Sequence, residues 1–167
     1  MEAERDAQQL LQKAWWKEPW SEVRLPVDPF AIARELGVKV FVDRSLPADV
    51  SGMLRKQAGY SDPEILLNAS DSRNRQRFTC AHELGHYTQR VKSGKDGVWE
   101  YVDKRDPLSS QGMDPDEVYA NQFAAELLMP QDVVVKRAAG SNTAALAIDF
   151  GVSGDAMGFR LDNLHLS

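Results

Sequence analysis

Two of the three histidines in this chain lie four residues apart, with a glutamate directly after the first. They belong to the stretch TCAHELGHY, residues 79–87, which contains His82, Glu83 and His86. Residues four apart on an α-helix project from the same face, so both imidazoles can bind one metal ion. Zinc accepts such donors in tetrahedral geometry, although manganese or another divalent ion is an alternative. Glu83 lies about 100° around the helix, where it can act as the general base toward a metal-bound water.

This chemistry requires a helix, and the flanking residues predict one over 71–91, with the tract ending at Ser93-Gly94. Gly85 lies in the middle of that helix, where glycine costs about 1 kcal/mol relative to alanine. Its presence therefore indicates that another element packs closely there. The structural alternative is a helix whose two histidines face solvent or bond to the backbone.

A catalytic zinc site needs a third protein ligand and keeps one position open for water. His165 is the remaining histidine, but it lies three residues from the chain end, so a carboxylate is favoured. Glu117 and Glu126 lie on one predicted helix, which begins at Asp114-Pro115. They are nine residues apart and face nearly opposite directions, so only one can reach the metal. Spacing alone leaves the choice open, because Glu117 can also serve as a capping-box residue.

The remaining patterns place these candidate residues within a mixture of helices and strands. Residues 94–114 are polar and predict a surface loop. The predicted helices are 3–17, ended by Pro19, then 29–36, 115–128, 131–139, 143–150 and 154–164, and the predicted strands are 38–42, 51–55 and 64–68, the last two forming a hairpin.

Composition excludes several classes of function. A net charge of −5 and a pI of about 5.2 disfavour general binding to nucleic acid or to anionic membrane. No apolar run approaches the roughly 20 residues that span a bilayer, and the N-terminus does not have the pattern of a secretory signal. The single cysteine, Cys80, excludes an internal disulfide and favours a buried thiol in a reducing cytoplasm.

Two separate motifs resemble the ImmA/IrrE family of metallopeptidases. They are RFTCAHELGHY (77–87) and EVYANQFAAELLMP (117–130), and they occur in the family's order. The resemblance extends over about residues 26–164 and includes DPFAIARELGVKV (28–40), SGMLRK (51–56), ILLNAS (65–70) and DFGVSGDAMGFRLDNL (149–164).

The resemblance implies a minimal zincin-like fold of the gluzincin type. Its α+β architecture has a small β-sheet packed on a metal-binding helix and a second ligand helix, followed by a C-terminal helical subdomain. By motif position, the metal ligands are His82, His86 and Glu117, and the catalytic base is Glu83. Asn121, four residues after Glu117 and on the same helix face, either supports the site or simply packs against the predicted 71–91 helix.

The domain prediction is one metallopeptidase domain over 1–167. It is divided into an N-terminal helix and linker (1–25), a catalytic core (26–130) and a C-terminal helical subdomain (131–167).

The family resemblance implies a zinc-dependent endopeptidase that cleaves a cytoplasmic helix-turn-helix repressor or antitoxin-like protein of mobile elements or stress responses. One alternative is a non-catalytic module that binds a repressor or toxin. The other is a DNA-binding regulator using residues 144–164, although that segment offers Arg160, Asn163 and few other suitable side chains. No direct nucleic-acid or membrane partner is expected.

Peptidases commonly bind an extended substrate along an exposed sheet edge. The predicted strand 51–55 is the candidate, with Ser51, Gly52 and Met53 lining it and glycine allowing close backbone approach. Three tyrosines are candidates, by residue type alone, for stabilising the oxyanion: Tyr87, Tyr101 and Tyr119.

Overall fold

The computed structural model of the protein describes residues 1–16, 24–59, 62–104 and 114–167, which form seven helices and a four-stranded sheet. The α+β fold class is confirmed, and the arrangement fits a minimal zincin-like fold. The helices are α1 (Glu2–Ala14), α2 (Pro29–Glu35), α3 (Arg73–Ser93), α4 (Pro115–Leu128), α5 (Gln131–Ala138), α6 (Thr143–Phe150) and α7 (Gly154–Asn163). The strands are β1 (Lys39–Asp43), β2 (Val50–Lys56), β3 (Glu64–Asn68) and β4 (Trp99–Lys104).

The sheet has the strand order β1-β3-β2-β4. β1 runs parallel to β3, whereas β2 is antiparallel to both of its neighbours. The predicted pairing of β2 with β3 is therefore confirmed. Leu54, Ile65 and Leu67 lie on the face that packs toward α3, and all three are fully buried. This apolar face holds the long metal-site helix against the sheet.

The prediction that β2 binds substrate is wrong, because β2 is paired on both sides by β3 and β4. Ser51, Gly52 and Met53 therefore have no free edge for an added strand. Gly52 instead allows the close approach of α3 to the sheet, because a Cβ atom at this position would lie 2.4 Å from the Thr79 Cγ2 atom of α3. The glycine lets the metal-site helix contact the sheet.

The prediction of a surface loop over 94–114 is wrong for β4. Its sequence WEYVDK alternates in burial, with Trp99, Tyr101 and Asp103 half-buried and the residues between them exposed. This period of two is the pattern of a strand with one covered face. The charged run at 103–106 obscured it, although its first two residues complete the strand.

Local capping explains where the helices begin. The Asp28 carboxylate accepts hydrogen bonds from the Phe30 and Ala31 backbone N–H groups at 2.9 and 3.2 Å, and Asp114 accepts from Asp116 at 2.9 Å. The predicted starts of the helices at residues 29 and 115, each a proline after a capping aspartate, are thus confirmed. α1 ends at Ala14, before the predicted end, and Pro19 lies outside the described residues.

α3 and α4 pack closely because Gly85 lacks a side chain. A Cβ at this position would lie 2.9 Å from the Ala120 Cα atom and 3.3 Å from the Phe123 Cβ atom. The inference that an element approaches Gly85 is confirmed. This contact sets the distance between the two helices that carry the candidate metal ligands.

The C-terminal helices are attached through buried charged groups. The Arg160 guanidinium pairs with the Glu126 carboxylate and donates to the Met129 carbonyl at 3.0 Å. The Glu126 Oε1 atom also accepts from the Gln8 side chain at 2.9 Å and from the Gln131 N–H at 3.2 Å. We call this network the C-terminal latch.

Candidate metal centre

α3 presents the two motif histidines from a well-defined helix. The Ser72 hydroxyl accepts from the Arg75 N–H at 3.2 Å at its start, and Gly94 ends it with a φ of 64°. His82 and His86 share one face, as their spacing predicts, and each is 2% exposed. Their Nε2 atoms lie 3.1 Å apart.

α4 places Glu117 opposite this pair. Its Oε2 atom lies 3.3 Å from the His82 Nε2 atom, and its Oε1 atom lies 3.2 Å from the His86 Nε2 atom. In a tetrahedron with metal–ligand bonds of about 2.0 Å, neighbouring ligands are roughly 3.3 Å apart. The three donors therefore have the spacing that a tetrahedral ion requires, and His82, His86 and Glu117 are positioned to hold a metal ion.

Asn121 lies one turn after Glu117 and contacts the first histidine. Its Oδ1 atom is 3.0 Å from the His82 Nδ1 atom. An N–H donated from Nδ1 leaves the Nε2 lone pair free for a metal. The structure therefore brings Asn121 into contact with a metal-site histidine, and its role in supporting the site stays a prediction.

Glu83 lies inside the protein rather than on its surface. Its side chain is fully buried, and neither carboxylate oxygen has a hydrogen-bond partner among the described residues. Burial raises its pKa to about 8, and the negative charges of Asp103 and Glu117 act in the same direction, whereas His82 opposes them. A glutamate with a pKa in this range can both accept and return a proton near neutral pH.

The charges of the ligand residues are coupled. Hydrogen bonds from His82 and His86 hold the pKa of Glu117 well below its usual range. The pKa of His82 is raised: burial acts to lower it, but the hydrogen bond to Glu117 and the charge of Glu83 outweigh that effect. In the metal-free protein the Glu117 carboxylate thus stays ionised against a histidine that favours its protonated form, and a metal ion that binds there would displace that proton.

The structure decides the choice between the two glutamates of α4. Glu126 is 1% exposed and belongs to the C-terminal latch, so it points away from the histidines. His165 is exposed near the chain end and does not join the ligand group. Cys80 is buried as predicted, and burial raises the pKa of its thiol.

Of the three candidate tyrosines, Tyr101 is the one in contact with a metal-ligand residue. Its ring stacks on His86, with 4.8 Å between centroids and 11° between planes. The Tyr119 hydroxyl instead donates to Asp6 at 2.6 Å, and Tyr87 lines a cavity with residues of α1. Tyr101 thus lies beside a metal-ligand residue, and a role of its hydroxyl toward the oxyanion stays a prediction.

Sequence reasoning missed Asp103, which lies two residues after Tyr101 on the same face of β4. Burial raises its pKa, while the charges of His82 and Arg75 act to lower it. The alternation of Trp99, Tyr101 and Asp103 with outward-facing residues was the signal that would have placed this carboxylate beside the helix.

Residues 33–162 match the sequence profile of the peptidase M78 family, described as the IrrE N-terminal-like domain. The match spans well over half of the chain and includes all three metal-binding candidates. The protein belongs to this family. The resemblance found in the sequence is therefore confirmed.

Solved structures also resemble this M78 family member. A Mycobacterium tuberculosis transcriptional regulator superposes with a TM-score of 0.62 at 15% identity. The alignment covers 96% of this chain and 46% of that protein, so this chain spans about half its length. At this identity the likeness concerns the fold. No curated protein sequence matches the chain.

The segment considered for DNA binding corresponds to α6 and α7. The arginine of this segment, Arg160, is 6% exposed and forms an ion pair with Glu126. Its guanidinium is therefore not available to bind the phosphate backbone of DNA. No helix in the described part of the chain is both long and apolar enough to cross a membrane.

Proposed function

We propose that this protein is a zinc-dependent endopeptidase that cleaves a cytoplasmic helix-turn-helix repressor or antitoxin-like regulator. The observation that carries the proposal is the convergence of His82, His86 and Glu117 beside a fully buried, unpaired Glu83. Two imidazoles and one carboxylate form the donor set of many catalytic zinc sites. Membership of the M78 peptidase family supports the same activity.

The bound metal would polarise the scissile carbonyl and lower the pKa of a water molecule. Glu83 would accept the proton of that water and pass it to the leaving amine. Its high pKa in the protein alone favours the protonated form, and a neighbouring divalent cation favours the carboxylate. Asn121 would hold the His82 ring in its metal-binding orientation.

We propose β4 as the strand that binds substrate. It lies at the edge of the sheet among the described residues, and it carries Tyr101 against a metal-ligand histidine. An extended peptide paired with β4 would therefore pass next to the metal centre. The physical reason is the same as the one that favoured β2 in the sequence, namely that a peptide adds as a further strand to an open sheet edge.

The proposed substrate class rests on the family resemblance. The structural neighbour from Mycobacterium tuberculosis is named a transcriptional regulator, which links that protein of similar fold to gene control. The cytoplasmic location is proposed from the single, buried cysteine. A non-catalytic binding module has no need of a buried glutamate beside its ligands, so this reading is disfavoured.

The test compares the wild type with Glu83→Gln. Each purified protein is analysed for bound metal and incubated with purified helix-turn-helix repressors of its own organism, and products are identified by mass spectrometry. We expect one zinc per chain in both proteins and cleavage that is reduced 10²- to 10⁴-fold, or lost, in the variant. A chelator should abolish wild-type cleavage and zinc should restore it.

Equal cleavage by both proteins would contradict the role of Glu83. Zinc binding with tight repressor association but no cleavage by the wild type would favour the binding module. Failure of both proteins to bind any divalent metal would refute the metal centre.

A further inference from the structure

The two histidines of the metal centre are held in different ways. The His82 Nδ1 atom has a hydrogen-bond partner in Asn121 at 3.0 Å. The His86 Nδ1 atom is buried and has no such partner among the described residues. Metal-binding histidines almost always use this second nitrogen to fix ring orientation. Another contact must therefore hold His86.

The aromatic ring of Tyr101 supplies that contact. It lies almost parallel to the His86 imidazole, with 11° between planes and 4.8 Å between centroids. The His82 ring meets His86 edge-on at 4.8 Å and 80°. His86 is thus enclosed by one stacked ring and one perpendicular ring.

Tyr101 is itself held firmly. It lies on β4 opposite Leu54, which is fully buried on the central strand β2. The Trp99 ring packs against it at 6.0 Å and 61°, and the Arg90 guanidinium lies 5.5 Å from the centre of the Trp99 ring. A rigid strand and an aromatic neighbour therefore fix the surface on which His86 rests.

We propose that Tyr101 is a positioning residue, whose ring fixes the His86 imidazole for metal binding by stacking, as Asn121 fixes His82 by hydrogen bonding. The last side-chain torsion of histidine is broad and roughly two-fold. A half-turn would replace Nε2 with a ring carbon at the ligand position. Rotation away from the observed plane would drive the imidazole edge into the Tyr101 ring, so stacking restricts this motion.

This inference rests on the proposed metal centre but depends on the ring of Tyr101, not on its hydroxyl. Tyr101→Phe retains the stacked surface and should bind metal as the wild type does. Tyr101→Val keeps a residue suited to a strand but removes the ring. It should weaken metal affinity by about tenfold, within the range of aromatic pairing and of outer contacts to metal ligands.

The experiment is a competition titration of the full chain with zinc and a chromophoric chelator. Cobalt binding provides a second readout, because its visible spectrum reports tetrahedral geometry independently of hydrolysis. Val102→Ala is the matched control, since Val102 is the next residue on β4 and faces away from the site. Circular dichroism verifies that each variant is folded, and Tyr101→Met replaces Tyr101→Val where the latter is unfolded.

Weaker zinc binding and a weaker tetrahedral cobalt spectrum in the ringless variant, with wild-type behaviour in Tyr101→Phe and Val102→Ala, would support the proposal. Unchanged affinity in the folded ringless variant would overturn it, as would an equal loss in Tyr101→Phe. A wild type that binds neither zinc nor cobalt would instead refute the metal centre, so the two failures are distinguishable.

Discussion

The metal centre and the C-terminal latch both bury charged side chains, but they treat them in opposite ways. In the latch, Glu126 accepts from an arginine, a glutamine side chain and a backbone N–H. In the metal centre, both oxygens of Glu83 and the Nδ1 atom of His86 are unpaired among the described residues. Buried polar groups normally have partners, and an unpaired one calls for an explanation such as a catalytic role or a bound ion. The latch therefore serves the fold, whereas the metal centre keeps groups available for chemistry.

The helix α4 carries both kinds of carboxylate. Glu117 lies in its first turn and faces the histidines, while Glu126 lies near its end and faces the C-terminal helices. A second buried arginine, Arg77 of α3, also holds the fold together. It donates hydrogen bonds to the backbone carbonyls of Val27 and Gly151 at 2.6 and 2.9 Å. Substitutions on the two sides should thus affect different measurable properties.

Arg160→Met breaks the latch and should have the largest effect on stability. It leaves the Glu126 carboxylate buried without its cation, which typically costs about 3–5 kcal/mol of the free energy of unfolding. Urea denaturation measures this loss. Adding Glu126→Leu should recover much of it, while zinc affinity of the folded variants stays near that of the wild type. A loss below about 1 kcal/mol would show that the pair is not a structural element.

Gly85→Ala tests the contact that joins the two ligand helices. The new Cβ would meet the Ala120 Cα atom at 2.9 Å, so the helices must separate, at a cost of about 1–3 kcal/mol. Zinc affinity should fall as well, because Glu117 moves with α4. Gly158→Ala is the matched control: its Cβ would meet nothing within 4 Å, and it should stabilise α7 by up to about 1 kcal/mol. Equal stability changes in the two variants would argue against close packing at Gly85.

Asn121→Ala removes a partner of the metal centre without disturbing the core, since Asn121 is exposed. Zinc affinity should fall about 10- to 100-fold as His82 loses its orienting hydrogen bond. The free energy of unfolding without metal should change little. Competition titration beside Gln122→Ala, the next residue on α4, separates this effect from a general change in the helix. Equal zinc affinity in both variants would remove Asn121 from the site.

The smallest effect is expected at Cys80, a buried group that neither region uses. The side chain is fully buried, and burial raises the pKa of its thiol. A thiol reagent should therefore leave the folded protein unmodified and react with one thiol per chain in denaturant. Rapid modification of the folded protein would show that the core around α3 opens readily.

The sequence predicted the parts of the site that depend on local periodicity. His82 and His86 face the same way because a helix repeats every 3.6 residues, and Asp28 and Asp114 begin helices because their carboxylates cap free N–H groups. The roles proposed for the site residues remain predictions, although the structure brings together the four main ones.

Properties that depend on distant pairing were harder to predict. The position of β2 within the sheet depends on β4, whose charged end resembled a loop, so the substrate edge was assigned to the wrong strand. Glu126 and Glu117 share a residue type and a helix, so spacing did not separate them, and the contact of Glu126 with Arg160, 34 residues away, shows its structural role. Stacking of Tyr101 on His86 likewise requires knowledge of the sheet order.

The most direct test of the contrast between the two regions is the pH dependence of unfolding for the wild type and Glu83→Gln, measured in urea with a chelator. Burial raises the pKa of Glu83 from 4.5 to about 8, so between these values the unfolded chain has released a proton that the folded chain retains. The free energy of unfolding should then fall as pH rises, by up to about 1.4 kcal/mol per pH unit, and level off above pH 8.

Glutamine does not titrate, so the variant lacks this component, and the pKa of His82 should also be lower in the variant because the charge of Glu83 helps to raise it. From pH 5 to pH 7 the wild type should lose about 2–3 kcal/mol more than Glu83→Gln. That result would establish that the protein retains a destabilising carboxyl group at its metal centre. Parallel curves for the two proteins would contradict the account, because Glu83 would then be as well accommodated as the carboxylate of the latch.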